Sequence, residues 1–273
     1  MTHGPLGILA GGGELPRRLI AACRDQARPC FVVAFEGQAD PATTEGVPHG
    51  WAALGAAGRV FELLRGAGVR EIVLAGAIRR PSLVSLKPDV KGAQFLARIG
   101  LRALGDDGLL RAVIAELERE GFRVIGAQDV LGSLPAPVGQ LGRIAPDAQA
   151  RTDIVRGVEV ARALGAVDVG QAVVVQHGIV LGVEAAEGTD ALLARAGALR
   201  REGPGGVLVK LAKPTQDRRV DLPTIGVGTV EKAAAAGLAG IAVEAGGTLV
   251  LDRDRVVAAA DAAGLFVEGL SVR

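Results

Sequence analysis

The sequence is short of several residue types, and each shortage excludes a class of protein. Its 273 residues include two cysteines, Cys23 and Cys30, which are too few for a disulfide framework or a four-cysteine zinc site. Aromatic residues make up 3% of the chain and tyrosine is absent, which argues against a platform that stacks nucleic-acid bases. The 31 basic and 30 acidic residues balance, so no net charge recruits nucleic acid. We therefore expect a reduced compartment and a partner other than nucleic acid.

Long apolar runs are missing as well. The longest, residues 233–243, is rich in alanine and glycine and is shorter than the roughly 20 residues that cross a bilayer. The first ten residues lack the charged-then-apolar layout of a signal peptide. We expect a cytoplasmic protein that does not span a membrane, and contact with a membrane surface is left open.

Glycine is the residue in excess, with 40 positions, about twice its usual share, and without a collagen-like period. Strand-like runs alternate with segments of helical periodicity, which is typical of α/β proteins with a mainly parallel sheet. Strands are predicted at residues 6–10, 30–35, 71–75, 122–126, 172–176, 179–183, 207–211, 241–244 and 248–251. Helices are predicted at residues 15–26, 60–66, 92–101, 109–120, 152–164, 190–199, 229–236 and 253–263.

A proline- and glycine-rich stretch, residues 133–147, interrupts this alternation. Neither a helix nor a central strand tolerates such a composition, so we interpret it as a linker. The sequence thus predicts two α/β domains. Residues 1–132 form a Rossmann-like nucleotide-binding domain, and residues 148–273 form a catalytic α/β domain. Because candidate ligand loops occur on both sides of the linker, we expect the active cleft between the domains.

The first strand–helix turn contains Gly11, Gly12 and Gly13. Glycines at a helix start let a phosphate or a sugar approach the backbone N–H groups, so all three are predicted to bind substrate. The dinucleotide fingerprint fails because its third glycine would fall on Pro16, and the Gly-Lys-Ser/Thr of a Walker A motif is missing. We predict that this turn binds a nucleotide-like ligand without a standard NAD- or ATP-binding motif. The alternative is a tight turn that binds no ligand.

Two charged pairs follow in the N-terminal half. Arg79 and Arg80 come after a strand, where open α/β sheets bind ligands, and they are predicted to clamp a phosphate rather than form a solvated pair. Asp106 and Asp107 precede a helix, where one of them would serve as an N-cap. Adjacent carboxylates also suit a divalent cation, so both are candidate metal ligands.

The C-terminal half has a polar segment between a strand and a helix. Glu187 and Thr189 in this segment are candidate substrate contacts, and Asp190 is a candidate metal ligand. Thr189 or Asp190 would cap the helix in the structural alternative.

The densest group of polar residues lies in one loop of the C-terminal half. Lys213, Arg219 and Asp221 belong to it, and prolines stiffen both of its ends. The cations suit phosphate oxygens, and the carboxylate suits a role in positioning water or Mg²⁺. We predict these three as catalytic residues, with Asp221 as a metal ligand, and Gln216 and Thr224 as substrate contacts. The alternative for Asp221 is a salt bridge that only shapes the loop.

Taken in order, these motifs resemble the LpxI-type UDP-2,3-diacylglucosamine pyrophosphatases of Gram-negative lipid A biosynthesis. The resemblance covers nearly the whole chain and depends on residues 7–13, 80–81, 105–107, 183–190 and 213–226. It implies a hydrolase that cleaves UDP-2,3-diacylglucosamine into UMP and 2,3-diacylglucosamine 1-phosphate (lipid X), with attack at the sugar-side phosphate. It also implies a divalent cation, usually Mg²⁺, and a substrate clasped between two domains. Transient contact with the cytoplasmic face of the inner membrane would follow, and a homodimer is left open.

Two other functional classes stay open. A Rossmann-type NAD(P)-dependent oxidoreductase would explain the opening strand–helix–strand unit, but the broken fingerprint counts against it, and Glu36 is the one nearby acid that suits a ribose hydroxyl. A nucleotide-sugar-binding sensor without catalysis would keep the glycine turn but would not need Asp221 or a metal.

Overall fold

The computed structural model describes residues 4–79, 86, 88–99, 106–132, 135–214, 216 and 222–272, with the side chains of Asp106 and Asp107 outside the description. The chain divides into two compact units, Met1–Gly132 and Ser133–Arg273. Each unit contains a β-sheet packed with helices, and this arrangement confirms the predicted mixed α/β class. The expectation of an active cleft shared by both halves stays a prediction.

The first unit is built on a parallel sheet. Its strands are β1 (Leu6–Ala10), β2 (Cys30–Phe35), β3 (His49–Ala52), β4 (Glu71–Ala75) and β5 (Arg123–Val124). Its helices are α1 (Leu15–Asp25), α2 (Ala57–Gly66), α3 (Val90–Ile99), α4 (Asp106–Arg119) and α5 (Ala127–Leu131), with a 3₁₀ turn at Pro41–Thr44. The strand order is β3-β2-β1-β4-β5, so the direction of winding reverses between β1 and β4. Open α/β sheets bind ligands at the carboxyl edge of such a switch point. The finer assignment of this unit as Rossmann-like stays a prediction.

The core of the first unit forms around β1, which is apolar on both faces. All five of its residues are buried, and Ile8 is paired with Val32 of β2 and Val73 of β4. Helix α1 buries Leu19 and Cys23 against this sheet. Cys23 is therefore a core residue.

Helix α4 is terminated by a glycine in the left-handed conformation. Gly121 has a φ of 92°, and its N–H donates to the carbonyl of Glu118 at 3.0 Å. The N–H of Phe122 donates to the carbonyl of Leu117 at 3.1 Å. These two bonds form a Schellman motif, which needs a left-handed residue at this position.

The second unit has a mixed main sheet and a short parallel pair. Its strands are β6 (Gly139–Gln140), β7 (Ala172–Gln176), β8 (Ile179–Val183), β9 (Val207–Lys210), β10 (Thr224–Ile225), β11 (Gly240–Glu244), β12 (Leu249–Val250) and β13 (Phe266–Leu270). Its helices are α6 (Ala148–Ala166), α7 (Gly188–Ala198), α8 (Val227–Ala235) and α9 (Arg253–Ala263). The main sheet has the order β6-β13-β11-β9-β7-β8, and β10 pairs with β12. Strands β9, β11 and β13 are parallel, whereas β7 runs antiparallel to both β9 and β8. Strand β8 therefore points in the same direction as β9.

The hairpin between β7 and β8 sets this direction. His177 and Gly178 form its turn with φ values of 53° and 76°, as a type I′ turn requires. The carboxylate of Asp153 on α6 is 1% exposed and accepts both turn N–H groups, at 3.0 Å from His177 and 2.6 Å from Gly178. The buried charge is satisfied by these bonds, and the turn is anchored to the helix beneath it.

Helix α6 packs directly on the main sheet. A Cβ at Gly157 would collide with the side chain of Val209, so the glycine is what lets the helix approach β9. Within the described ranges, no helix combines the length and the apolar character needed to cross a bilayer.

The proline- and glycine-rich segment is part of the second unit from Pro135 onward. Pro135 forms a bridge with Leu249, Ala136 is 2% exposed in the core, and β6 pairs with the edge of β13. Prolines and glycines fit an edge strand and its flanking turns, so this composition does not require a free connection. The described part of the predicted linker is thus packed structure.

Candidate active site

Polar residues from four strands meet at one edge of the main sheet in the second unit. Lys210 ends β9 and Glu244 ends β11, while Glu184 follows the last residue of β8, which runs in the same direction. Gln171 precedes β7, whose opposite direction brings its start to this edge. The strands therefore deliver these four side chains to the carboxyl edge of the parallel strands, the usual position of ligand sites in α/β sheets.

Lys210 is at the centre of this group and is 6% exposed. Its ammonium donates to the hydroxyl of Thr189 at 3.0 Å and to the carbonyl of Thr224 at 3.2 Å. The Thr189 hydroxyl in turn donates to Glu184 Oε1 at 2.7 Å, and Glu184 is 7% exposed. A buried cation and a buried carboxylate are thus linked through one hydroxyl, which keeps both charges hydrogen-bonded.

Two glutamines extend this arrangement. The N–H of Gln171 donates to Glu184 Oε2 at 3.3 Å, and the side-chain amide of Gln216 donates to Gln171 Oε1 at 3.3 Å. The backbone N–H of Lys213 donates to Gln216 Oε1 at 2.9 Å. We refer to the connected residues as the Lys210 network. Its members are Gln171, Glu184, Thr189, Lys210, Lys213, Gln216 and Thr224.

The side chain of Lys213 makes an ion pair within this unit. Its ammonium lies 2.6 Å from Asp168 Oδ1, and both side chains are largely buried. Asp168 follows α6 with a left-handed φ of 54°. The pair anchors the start of the polar loop against the end of α6, and the predicted catalytic role of Lys213 stays a prediction.

Glu187 and Asp190 lie outside the Lys210 network. Glu187 pairs with Arg195 at 2.8 Å, and Asp190 pairs with Lys232 at the surface. Hydrogen bonds from its own backbone N–H and from Arg195 hold the pKa of the Glu187 carboxyl below its usual range. Helix α7 begins at Gly188 with Glu187 as its N-cap residue, so the predicted cap at Thr189 or Asp190 is wrong.

Several predicted site residues cannot be placed. Arg80, Arg219 and Asp221 lie outside the described residues, as do the side chains of Asp106 and Asp107. Among the residues that are described, no three His, Cys, Asp or Glu side chains gather into a group that could hold a metal ion.

In the first unit, the glycine turn contacts the loop that follows β4. The N–H of Gly11 donates to the carbonyl of Ala75 at 2.8 Å, and Gly12 exchanges two hydrogen bonds with Ala77 at 2.8 and 2.9 Å. A Cβ on Gly11 would collide with the carbonyl oxygen of Ala77, and Gly13 adopts a left-handed φ of 93°. The amides of Gly11 and Gly12 are engaged within the protein, so close approach of two loops explains these glycines structurally. A substrate-binding role of the turn stays a prediction.

Replacing Gly11 with Ala is expected to lower the free energy of unfolding by about 2 kcal/mol, because the added Cβ overpacks this contact. Besides the Ala77 carbonyl, it would lie 2.8 Å from the Cδ1 atom of Ile78. Urea denaturation measures the loss. Gly66→Ala at the end of α2 is the matched control, since its Cβ would meet no atom within 4 Å. Equal stability of both variants would contradict the close approach.

Arg79 is next to this contact and is exposed. Its backbone N–H donates to the side-chain carbonyl of Gln38 at 2.8 Å, which connects the loop after β4 to the loop after β2. The glycine turn, Gln38 and Arg79 therefore lie together at the switch point of the first sheet.

Comparisons with known proteins agree with this two-part architecture. The LpxI N-terminal domain family matches residues 5–134, and the LpxI C-terminal domain family matches residues 137–268. The chain belongs to the LpxI family. It is 45% identical over 272 residues to a Caulobacter vibrioides protein named UDP-2,3-diacylglucosamine pyrophosphatase LpxI, with 97% of each chain covered. This result confirms the family resemblance found in the sequence.

A solved structure also aligns, at a level that supports no argument. It is N5-carboxyaminoimidazole ribonucleotide synthetase from Thermotoga maritima, 12% identical, with a TM-score of 0.26 over 74% of this chain and 44% of that chain.

Sequence reasoning missed three members of the Lys210 network, namely Gln171, Glu184 and Lys210. Glu184 and Lys210 were passed over in favour of more polar neighbouring segments. A signal was available for both, because each is the first charged residue at the end of an apolar strand. Such a position in an α/β sheet faces the ligand edge.

Proposed function

We propose that this protein hydrolyses the pyrophosphate bond of UDP-2,3-diacylglucosamine and releases UMP and 2,3-diacylglucosamine 1-phosphate in lipid A biosynthesis. The observation that carries the proposal is the 45% identity, over 97% of both chains, to the Caulobacter protein named for this activity. Both LpxI domain families match in chain order, so each half of the family architecture has its counterpart here.

The Lys210 network suits the chemistry of this reaction. Hydrolysis of a pyrophosphate spreads negative charge over phosphoryl oxygens, and fixed donors in a site sheltered from water stabilise that charge. Lys210 has a buried ammonium whose orientation is set by Thr189 and the Thr224 carbonyl. We assign it this electrostatic role. Lys213 and Arg219 are proposed as further cations on the same loop, on the strength of the sequence motif.

Substrate contacts are proposed for Thr189, Gln216 and Thr224. All three were selected from the sequence, and all three belong to the Lys210 network. Glu187 is retained as a proposed contact on the sequence motif, although its carboxylate pairs with Arg195. Ordered donors of this kind hold the phosphates in the geometry that in-line attack by water requires.

The nucleotide side of the substrate is proposed to meet the first unit. The supporting feature is the switch point of its sheet, where the loop of Gly11, Gly12 and Gly13 meets the loop that contains Arg79. Arg79 and Arg80 are proposed to bind phosphate oxygens, since a guanidinium forms two parallel hydrogen bonds to such groups.

We also propose that the reaction requires a divalent cation such as Mg²⁺. The described residues do not assemble a site for it, because no three His, Cys, Asp or Glu side chains among them lie close enough together to hold a metal ion. The proposed ligand is therefore Asp221, chosen from the sequence motif. Further candidates in the sequence are Asp106, Asp107 and Asp190. When bound, such an ion would neutralise phosphate charge and acidify a coordinated water.

The test is product analysis with the purified protein. UDP-2,3-diacylglucosamine and Mg²⁺ are incubated with the protein in ¹⁸O-labelled water, and we expect UMP together with 2,3-diacylglucosamine 1-phosphate that contains the label. The label would appear in UMP instead if water attacked the other phosphorus. Excess EDTA should stop the reaction if a divalent cation is required.

Product analysis separates the hydrolase from a sensor, and a second measurement tests for an oxidoreductase. A folded protein that binds the substrate and leaves it intact would be a nucleotide-sugar sensor, and the hydrolase proposal would be wrong. Nicotinamide fluorescence that changes on mixing with the protein would favour an oxidoreductase. No change is expected, because the first turn lacks the dinucleotide fingerprint.

A substrate with two acyl chains partitions into a bilayer, so the proposed reaction implies transient contact with a membrane surface. The inner-membrane location, the cytoplasmic compartment and a homodimer stay predictions.

A further inference from the structure

The loop between strand β8 and helix α7 folds back so that its two ends meet. Glu184 follows β8, and its N–H donates to the carbonyl of Ala172 on β7 at 2.8 Å. The chain then turns at Gly188, which has a left-handed φ of 81° that glycine adopts without strain. Thr189 follows in the first turn of α7, and its hydroxyl lies 2.7 Å from Glu184 Oε1. The loop therefore holds these two side chains together.

The chemistry of three side chains sets the direction of the hydrogen bonds that join them. An ammonium only donates, so Lys210 donates to the Thr189 oxygen, at 3.0 Å. The single proton of the hydroxyl is then directed to Glu184 Oε1. Glu184 Oε2 also accepts, from the N–H of Gln171 at 3.3 Å. Both oxygens of Glu184 act as acceptors, as those of an ionised carboxylate do.

The Glu184 carboxylate is held rigidly behind Lys210. It is 7% exposed, and each of its oxygens has a protein donor. A Cβ on Gly170 would collide with the carbonyl oxygen of Glu184, so this glycine lets the chain before β7 approach Glu184 closely. A buried group whose own position is fixed can orient a functional side chain through a hydrogen bond.

We propose that Glu184 is a positioning residue for the proposed hydrolysis, and that it holds the Lys210 ammonium in place through the Thr189 hydroxyl. The ammonium of a lysine is carried on a flexible four-carbon stem, so its position depends on the acceptors around it. Without the Glu184 carboxylate, the Thr189 hydroxyl loses the acceptor that keeps its lone pairs towards Lys210. The catalytic consequence rests on the proposed function, whereas the position of the ammonium is measurable without substrate.

The first experiment observes the ammonium directly, in the full chain labelled with ¹⁵N in its lysine side chains. The sequence has five lysines, so the ¹H–¹⁵N spectrum is simple. Ammonium protons exchange slowly with water only where burial and hydrogen bonds protect them. Of the lysines that the structure describes, Lys210 and Lys213 have buried side chains, and we expect a cross-peak from each. Lys210→Met identifies the first, and Lys213, whose ammonium pairs with Asp168, is the internal reference.

Glu184→Gln tests the carboxylate, because it removes the charge and nearly preserves the shape. We expect the Lys210 cross-peak to disappear, or its protons to exchange with water on the order of 10-fold faster. The Lys213 cross-peak should stay. A Lys210 cross-peak that exchanges as slowly as in the wild type would overturn the proposal.

Two substitutions at Thr189 isolate the connection between the charges. Thr189→Val removes the hydroxyl and leaves the Glu184 carboxylate in place, so it should cause the same loss of the Lys210 cross-peak. Thr189→Ser keeps the hydroxyl and should keep the cross-peak. These two variants decide the question even if Glu184→Gln does not fold. Protection of the Lys210 ammonium that survives in Thr189→Val would refute the proposal.

Kinetics with UDP-2,3-diacylglucosamine test the catalytic consequence. Glu184→Gln should lower kcat on the order of 10-fold and change KM by less than about three-fold, because it acts through a cation that stabilises the transition state. Glu159→Gln is the matched control, since Glu159 is a surface carboxylate of α6 with a side chain 61% exposed. A kcat for Glu184→Gln equal to that of this control would contradict the positioning role. A wild-type protein that does not hydrolyse the substrate would refute the proposed function alone, and the ammonium spectra would still decide whether Glu184 holds Lys210.

Discussion

Replacing Lys210 with Met is expected to reduce kcat/KM for UDP-2,3-diacylglucosamine on the order of 10²-fold. It should also lower the free energy of unfolding by about 3 kcal/mol, because it leaves a buried carboxylate with less compensation. Met preserves the length of the side chain and removes the charge. The hydroxyl of Thr189 and the carbonyl of Thr224 lose their donor, and the charge on Glu184 loses its linked cation. Steady-state kinetics and urea denaturation measure the two effects separately.

Lys232→Met is the matched control for this variant. Lys232 belongs to the same unit, but its ammonium pairs with Asp190 at the surface and its side chain is 49% exposed. An exposed pair contributes roughly 0–1 kcal/mol, so this control should retain the activity and nearly all of the stability. If Lys210→Met behaved like the control, Lys210 would have no electrostatic role in the reaction.

A double-mutant cycle tests whether the network acts as a unit. Thr189→Val removes the hydroxyl that joins Lys210 to Glu184 and keeps the shape of the side chain. If the hydroxyl transmits the interaction, the losses in Thr189→Val and Lys210→Met should not add in the double variant. Additive losses would show that the two residues act independently.

The sequence predicted several apolar strands well, for a physical reason. The strands at residues 6–10, 30–35, 71–75, 172–176 and 179–183 have the predicted bounds. Most are apolar runs that end at turn residues, and a short buried strand has few other ways to satisfy such a pattern.

Strand β13 was missed because its burial depends on distant parts of the chain. Glu268 and Gly269 interrupt its apolar pattern, and the strand is stabilised by pairing with β11 and β6. Gly269 is required there because a Cβ would collide with the carbonyl oxygen of Pro137. Because the strand depends on residues far away in the sequence, the residues around it carry no local pattern from which it could be predicted.

The site could be predicted in part. Thr189, Gln216 and Thr224 were selected because they lie in polar loops after strands, and the sheet brings all three into one network. Glu187 and Asp190 were selected from the same local pattern, yet they pair with partners elsewhere. Successive helical residues point about 100° apart, so only one of such adjacent residues faces the edge of the sheet. Which of these residues faces the sheet depends on where helix α7 begins. The sequence predicted the first residue of this helix two positions too late.

Asp221→Ala is expected to reduce turnover on the order of 10²-fold or more, with little effect on substrate binding. The reason is that a carboxylate that orients water or holds a cation acts mainly in the transition state. Asp221 directly precedes Leu222, whose carbonyl accepts a hydrogen bond from the Thr224 hydroxyl at 3.1 Å. Thr224 in turn accepts from Lys210, so the chain that follows Asp221 is part of the Lys210 network.

Single-turnover kinetics and equilibrium binding of intact UDP-2,3-diacylglucosamine decide whether Asp221 is catalytic or only shapes the loop. A catalytic Asp221 predicts a variant that binds substrate with near wild-type affinity and leaves it uncleaved. A carboxylate that only shapes the loop predicts weaker binding, a lower melting temperature and hydrolysis within a few-fold of wild type. Asp254→Ala is the matched control, because Asp254 is an exposed carboxylate in the first turn of α9 and its removal should change neither rate nor affinity. Asp221→Asn distinguishes the charge of the side chain from its shape, because it keeps the shape and removes the charge. If the reaction requires the charge, this variant should be as inactive as the alanine variant.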